Sequence, residues 1–219
     1  MIVAVTAGKG GVGKSTVTLN LAAELDAVAV DADLSMADLP AGRGPDLHDV
    51  LAGRADPLEA VHDGGPVSLL PCGRSLAGAR ATDPAALEDV LSRIVTSYGC
   101  VVVDCPAGLR SDAGVPLLAA DACVLVARPT EPALADAMRV RELARTVETP
   151  LVRVVLNRTA RTDTDDIADA LGAPVLTVSE SDTLARAQRA GHPVRTVQPD
   201  CPAAAQFEKL ADAVHSTRS

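Results

Sequence analysis

Aromatic side chains are nearly missing from this 219-residue chain, which has Tyr98, Phe207 and no tryptophan. Its core must therefore be assembled from Ala, Val and Leu, and a platform that stacks single-stranded bases on exposed rings is disfavoured. Lysine is almost as scarce: Lys9, Lys14 and Lys209 stand among twenty basic residues. Positive charge as a whole is outweighed, giving a net charge of −9 in which 21 Asp exceed 8 Glu. Such a surface repels a phosphate backbone, so broad DNA binding is disfavoured. The five cysteines (Cys72, Cys100, Cys105, Cys123 and Cys201) contain no C-x-x-C pair. They read as reduced thiols of a cytoplasmic protein, used as small buried hydrophobes. No apolar run approaches the roughly 20 residues needed to span a bilayer. The chain opens directly on an apolar strand, so no leader is expected. One domain over residues 1–219 is expected from the length.

Against these absences stand residues 8–16, GKGGVGKST, directly after the apolar run Ile2-Val3-Ala4-Val5. Gly8, Gly13, Lys14 and Ser15 fit G-x-x-x-x-G-K-[ST], the loop that wraps a nucleotide's phosphates. Glycines allow consecutive backbone N–H groups to turn inward, and the following helix adds its positive end. Lys14 would bridge the β- and γ-phosphates, and the Ser15 hydroxyl would ligate Mg²⁺. Lys9 is an unusual second basic residue in this loop, kept in a chain that otherwise replaces lysine by arginine.

Apolar segments recur at 2–6, 27–30, 67–71, 100–103, 122–127, 151–156 and 175–178, separated by helical patterns. Strands alternating with helices predict a three-layer α/β fold with a mostly parallel sheet, its ligand at the strands' carboxyl ends. The helical faces are expected at Leu19, Ala22 and Ala23; at Leu87, Val90, Leu91, Ile94 and Val95; at Ala133, Leu134, Met138, Leu143 and Ala144; and at Phe207, Leu210, Ala211 and Val214. Asp163, Asp165, Asp166 and Asp169 are expected to cap and solvate a helix. Residues 40–66, rich in Gly, Pro and Asp, read as a surface excursion with one helical piece around Leu47–Ala52, and His48 and His62 as surface histidines lacking metal-ligand spacing. The strand at 100–103 ends in Asp104, an apolar run closed by a carboxylate that would hold Mg²⁺ through water. Asp31 and Asp33 follow another strand; by spacing alone they cap a loop.

KGGVGKS (9–15), DADLSMADL (31–39), DCPAG (104–108) and Asn157 occur in an order that resembles the deviant phosphate-loop ATPases of the MinD/ParA family. The resemblance covers nearly the whole chain and implies the P-loop NTPase form of the fold. By this resemblance the nucleotide would be ATP with Mg²⁺, bound by Gly8, Lys9, Gly10, Gly11, Val12, Gly13, Lys14, Ser15 and Thr16. Asn157, with Arg158 beside it, would read the adenine edge. Ser15, Asp33 and Asp104 would serve the metal, and Asp33 would position the attacking water. Lys9 would reach the nucleotide of a second copy, so that ATP makes a homodimer and slow, partner-stimulated hydrolysis dissolves it. The implied role is a MinD-like switch that organises an unidentified protein partner; the alternatives are a ParA-like DNA partition ATPase and an Mrp-type metal-cluster carrier.

Three departures from that family pattern are visible. Asp38 stands where archaeal MinD-like chains usually carry Asn. The acid after the 122–127 strand is displaced to Glu131. The C-terminal segment, with Glu208 and Asp212 against Lys209 and Arg218, lacks the basic lipid-docking character of bacterial MinD tails. The aspartate-rich, lysine-poor balance is similar to that of halophilic archaeal proteins, although a GC-rich genome also explains the arginine bias.

Overall fold

Short apolar runs set the strands; four of them close on Gly8, Asp31, Asp104 or Asn157. The strands at 2–7, 28–31, 101–104 and 122–127 are buried along their whole length, as strands covered on both faces are. The computed structural model describes residues 1–34, 38–40, 43–73, 75–109 and 113–218. Its strands are β1 (Ile2–Ala7), β2 (Val28–Asp31), β3 (Leu69–Leu70), β4 (Val101–Asp104), β5 (Ala122–Ala127), β6 (Leu151–Asn157) and β7 (Val175–Val178). The helices are α1 (Lys14–Glu24), α2 (Leu47–Leu51), α3 (Leu76–Ala81), α4 (Leu87–Tyr98), α5 (Gly114–Leu118), α6 (Glu131–Thr146), α7 (Asp165–Leu171), α8 (Asp182–Arg189), α9 (Val194–Val197) and α10 (Pro202–His215).

The sheet order is β3-β2-β4-β1-β5-β6-β7, and every strand pair in it is parallel. Alternate residues feed opposite faces. Val3, Val5, Val102 and Val124 pack with Val17 and Leu21 of α1 and Phe207 and Leu210 of α10. Ile2, Ala4, Val101 and Val103 pack on the other side with α2 and α4. Farther along the sheet, Leu125, Val154 and Leu156 meet Ala137 and Val140 of α6 and Ile167 of α7. The three-layer α/β architecture is therefore the one the alternation predicts.

Inserting β4 between β1 and β2 is what positions the site. Register pairs Val5 with Asp104, so the loop leaving β1 emerges beside the carboxylate that closes β4. Cys105 N–H donates to Val5 O at 3.0 Å and Gly108 N–H to Ala7 O at 2.9 Å, carrying the pairing past the strand ends.

Several local expectations are corrected. Residues 40–66 are not merely a surface excursion, because Leu47, Val50, Leu51, Ala60 and Val61 are core residues. His48 is buried rather than on the surface, at 2 % exposure. The strand expected over 67–71 shrinks to Leu69–Leu70, with His62 bridging Leu69 in antiparallel sense. Met138 is exposed, whereas Ala133 and Ala144 are buried as expected, with Ala137 and Val140 beside them. Met138 follows Ala137 by about 100° around the helix, which turns it off the buried face. The five cysteines are buried free thiols, and burial pushes the thiols of Cys72 and Cys105 far up.

Phe207 is fully enclosed between α10, α1 and the sheet. Phe207→Ala is expected to cost about 3–5 kcal/mol in a denaturant titration, whereas Met138→Ala should stay within about 0.5 kcal/mol of the parent.

Candidate functional site

The loop from Gly8 to the head of α1 is shaped by conformations that side chains avoid. Gly13 takes φ 102° at the N-cap, and a Cβ there would run into the Asn157 amide. The helix begins without a side-chain cap or an acidic residue in its first turn. Its first N–H groups are thus left for an outside acceptor, and the helix dipole favours that acceptor being an anion.

Lys9, Gly10, Gly11, Gly13, Lys14, Ser15 and Thr16 line one wall of an open cleft of about 340 Å³. Asp33, Asp38, Ala107, Arg158 and Gln188 line the rest. Gly8, Val12, Asn157 and Asp104 lie behind that wall. The sequence-predicted residues therefore converge on one place from β1, α1, β2, β4 and β6.

Lys14 is buried, and its Nζ lies 2.6 Å from Asp104 Oδ1. Burial opposes the ammonium charge, but the Asp104 carboxylate and its hydrogen bond hold the Lys14 pKa above the ordinary lysine value. Thr18, one turn further along α1, donates to the same Oδ1 at 3.0 Å. Asp104 Oδ2 is buried with no hydrogen-bond partner. A buried carboxylate oxygen without a donor is costly. Together with the Ser15 hydroxyl it supplies the hard oxygen donors that Mg²⁺ takes, partly through water. The residues present fit that ion.

Asp31 caps its own loop, as the spacing predicts, and does so with both carboxylate oxygens. Its Oδ1 accepts from Asp33 N–H at 3.2 Å, and its Oδ2 accepts from Asp38 and Leu39 N–H at 2.9 and 3.0 Å. Burial pushes its pKa up to about 7, against the pull of those N–H donors. Asp31 thus folds the loop that carries Asp33, which is itself only 7 % exposed. Ser35, Met36 and Ala37 of the DADLSMADL segment lie outside the described residues. Two further residues were missed. The Lys14–Thr18 spacing of one helical turn could have pointed to Thr18; Gln188, reaching in from α8, carried no sequence signal.

Asn157 closes β6 and braces the loop. Its Nδ2 donates to Val12 O at 2.8 Å, and its Oδ1 accepts from Arg158 N–H at 2.9 Å. One N–H and one lone pair of the amide remain. Arg158 sits in the left-handed region at φ 57°.

Residues 3–194 match the model of the CobQ/CobB/MinD/ParA nucleotide binding domain. The chain belongs to this family. An ATP-binding protein of Methanocaldococcus jannaschii is 34 % identical over 231 residues, spanning 98 % of this chain and 88 % of that protein. The cell division ATPase MinD of Pyrococcus furiosus superposes with a TM-score of 0.90 at 30 % identity, covering 99 % of this chain and 98 % of its own. MinD of Pyrococcus horikoshii, solved with Mg-ADP, gives 0.91 at 30 % identity over 100 % of this chain and 97 % of that one. These matches agree with the seven-stranded P-loop fold and the MinD/ParA resemblance.

Asn157→Ala removes the donor to Val12 O and is expected to cost about 1–3 kcal/mol of stability without any nucleotide present. A denaturant melt checks this; a residue that only reads a base would leave the nucleotide-free melt unchanged.

Proposed function

We infer that this chain is an ATP-hydrolysing switch of the MinD type, in which two copies close on ATP–Mg²⁺ and separate after hydrolysis. The observation that carries the reading is the contrast between the two loop lysines. Lys14 is buried against Asp104; Lys9 is exposed at the rim of the same cleft and has no ion-pair partner among the described residues. In this reading one lysine serves the subunit's own site and the other a neighbour's.

In this reading Lys14 leaves Asp104 for the β- and γ-phosphates, among the backbone N–H groups of Gly8, Gly10, Gly11, Val12 and Gly13. Ser15, Asp104 and Asp33 would hold Mg²⁺, directly or through water. The ion supplies charge neutralisation at the phosphoryl oxygens. Asp33 orients the attacking water; in phosphoryl transfer that positioning, with charge stabilisation, is most of the work. Thr16 would join the phosphate contacts. Arg158 lines the cleft and would meet the base, and the buried Asn157 would reach it only with its remaining N–H and lone pair. The M. jannaschii relative named for ATP binding and the Mg-ADP complex of P. horikoshii MinD support the choice of nucleotide.

The output is assembly rather than a product, read by an unidentified protein partner. A net charge of −9 weighs against the ParA-like DNA role. α10 turns Phe207, Leu210, Ala211 and Val214 into the core, so that apolar face is not available to a lipid surface. No described helix is long and apolar enough to cross a membrane.

Light scattering tests this directly, in multimolar KCl and at low salt. The mass is expected to be 22.3 kDa with ADP or no nucleotide and twice that with ATP. Asp33→Ala should hold the ATP dimer, and Lys9→Ala should stay monomeric. A mass that never responds to ATP at either salt would defeat the switch reading.

A further inference from the structure

His48 and Cys72 lie outside the cleft lining, yet both touch the loop that carries Asp33. The His48 Nε2 is 3.1 Å from Leu34 O and 3.4 Å from Cys72 Sγ. The Cys72 thiol donates to Asp33 O at 3.3 Å. A carbonyl oxygen only accepts, so the bonding pattern assigns the hydrogen to Nε2. That leaves Nδ1 as a bare lone pair, buried without a partner. It faces Gly73, where any Cβ would collide with the ring. The ring is therefore clamped in one orientation, with its single donor aimed at the loop.

Both side chains come from one braced unit. Asp46 and Asp49 form a reciprocal capping box at the head of α2. Leu47 N–H donates to Pro71 O at 2.9 Å, tying α2 to the residue before Cys72. The Asp33 loop is thus gripped from two sides. Asp31 takes its N–H groups, at residues 33, 38 and 39, while Cys72 and His48 donate to its consecutive carbonyls at 33 and 34.

We propose that His48 and Cys72 are positioning residues for Asp33, fixing the backbone from which its carboxylate reaches the attacking water. This rests on the reading of Asp33 given above. It also makes α2 and the β3 edge a place from which the hydrolysis rate is set without contact with nucleotide.

The test compares single-turnover ATP hydrolysis, ATP affinity, melting temperature and amide hydrogen exchange across five variants. His48→Leu and Cys72→Ala remove the donors; His48→Gln and Cys72→Ser retain one. Hydrolysis is expected to slow roughly 10-fold or more in the first two, as for other groups that hold reacting atoms in register, with ATP affinity unchanged. The conservative pair should recover most of the rate. Amides of residues 33, 34, 38 and 39 should exchange faster in nucleotide-free His48→Leu and Cys72→Ala. The fifth variant, Asp33→Ala, separates the two readings. If it hydrolyses at the parent rate, the role of Asp33 itself fails. If it is slowed while His48→Leu and Cys72→Ala keep parent rates and parent exchange, only the positioning proposal is overturned. Equal loss of rate, affinity and melting temperature in the conservative and the deleting variants would also overturn it, because the residues would then be structural fillers.

Discussion

A lysine withdrawn from water must keep a negative partner, and an uncompensated buried charge costs about 3–5 kcal/mol. The bond between Lys14 and Asp104 meets that demand at 2.6 Å. It joins the first turn of α1 to the carboxyl end of β4, and it is possible only because β4 is inserted next to β1 in the sheet. The placement of the loop, the orphaned oxygen of Asp104 and the neighbouring Asp33 loop all depend on this crossover. Thr18 adds a second donor to the same oxygen and leaves the other one bare.

Around that pair the chain uses backbone groups as its fastening points. Asn157 holds the phosphate loop by the carbonyl of Val12. Asp31 holds the next loop by its N–H groups, and His48 and Cys72 hold it by its carbonyls. With two aromatic residues in the whole chain, large rings are not available to wedge these loops in place. Small aliphatic side chains pack the layers, and buried polar side chains fix the loops.

Most of the fold was legible because parallel strands buried on both faces are written as continuous apolar runs. The phosphate loop and Asp104 were legible for a related reason: each requires particular residue types at a fixed distance from a strand end. His48 was not. It belongs to a helix of five residues, too short for periodicity to declare a buried face, and its partners are a carbonyl at residue 34 and a thiol at residue 72. The spacing shows Asp31 only as a generic loop cap, because an Asp-x-Asp pair does not reveal which carboxylate faces the loop's own amides. Met138 misled because helical spacing alone cannot distinguish a face lined by alanine from one that admits a longer side chain. The short helices α3, α5 and α9 carry too few residues for any pattern.

The central claim is that Lys14 exchanges Asp104 for phosphate when nucleotide enters. A crystal structure grown with Mg²⁺ and a non-hydrolysable ATP analogue measures it as one distance. The Lys14 Nζ to Asp104 Oδ1 separation, 2.6 Å here, is expected to open beyond hydrogen-bond reach, to more than about 3.5 Å, with Nζ on a phosphate oxygen. A nucleotide-bound structure in which the ion pair keeps its length would contradict the account.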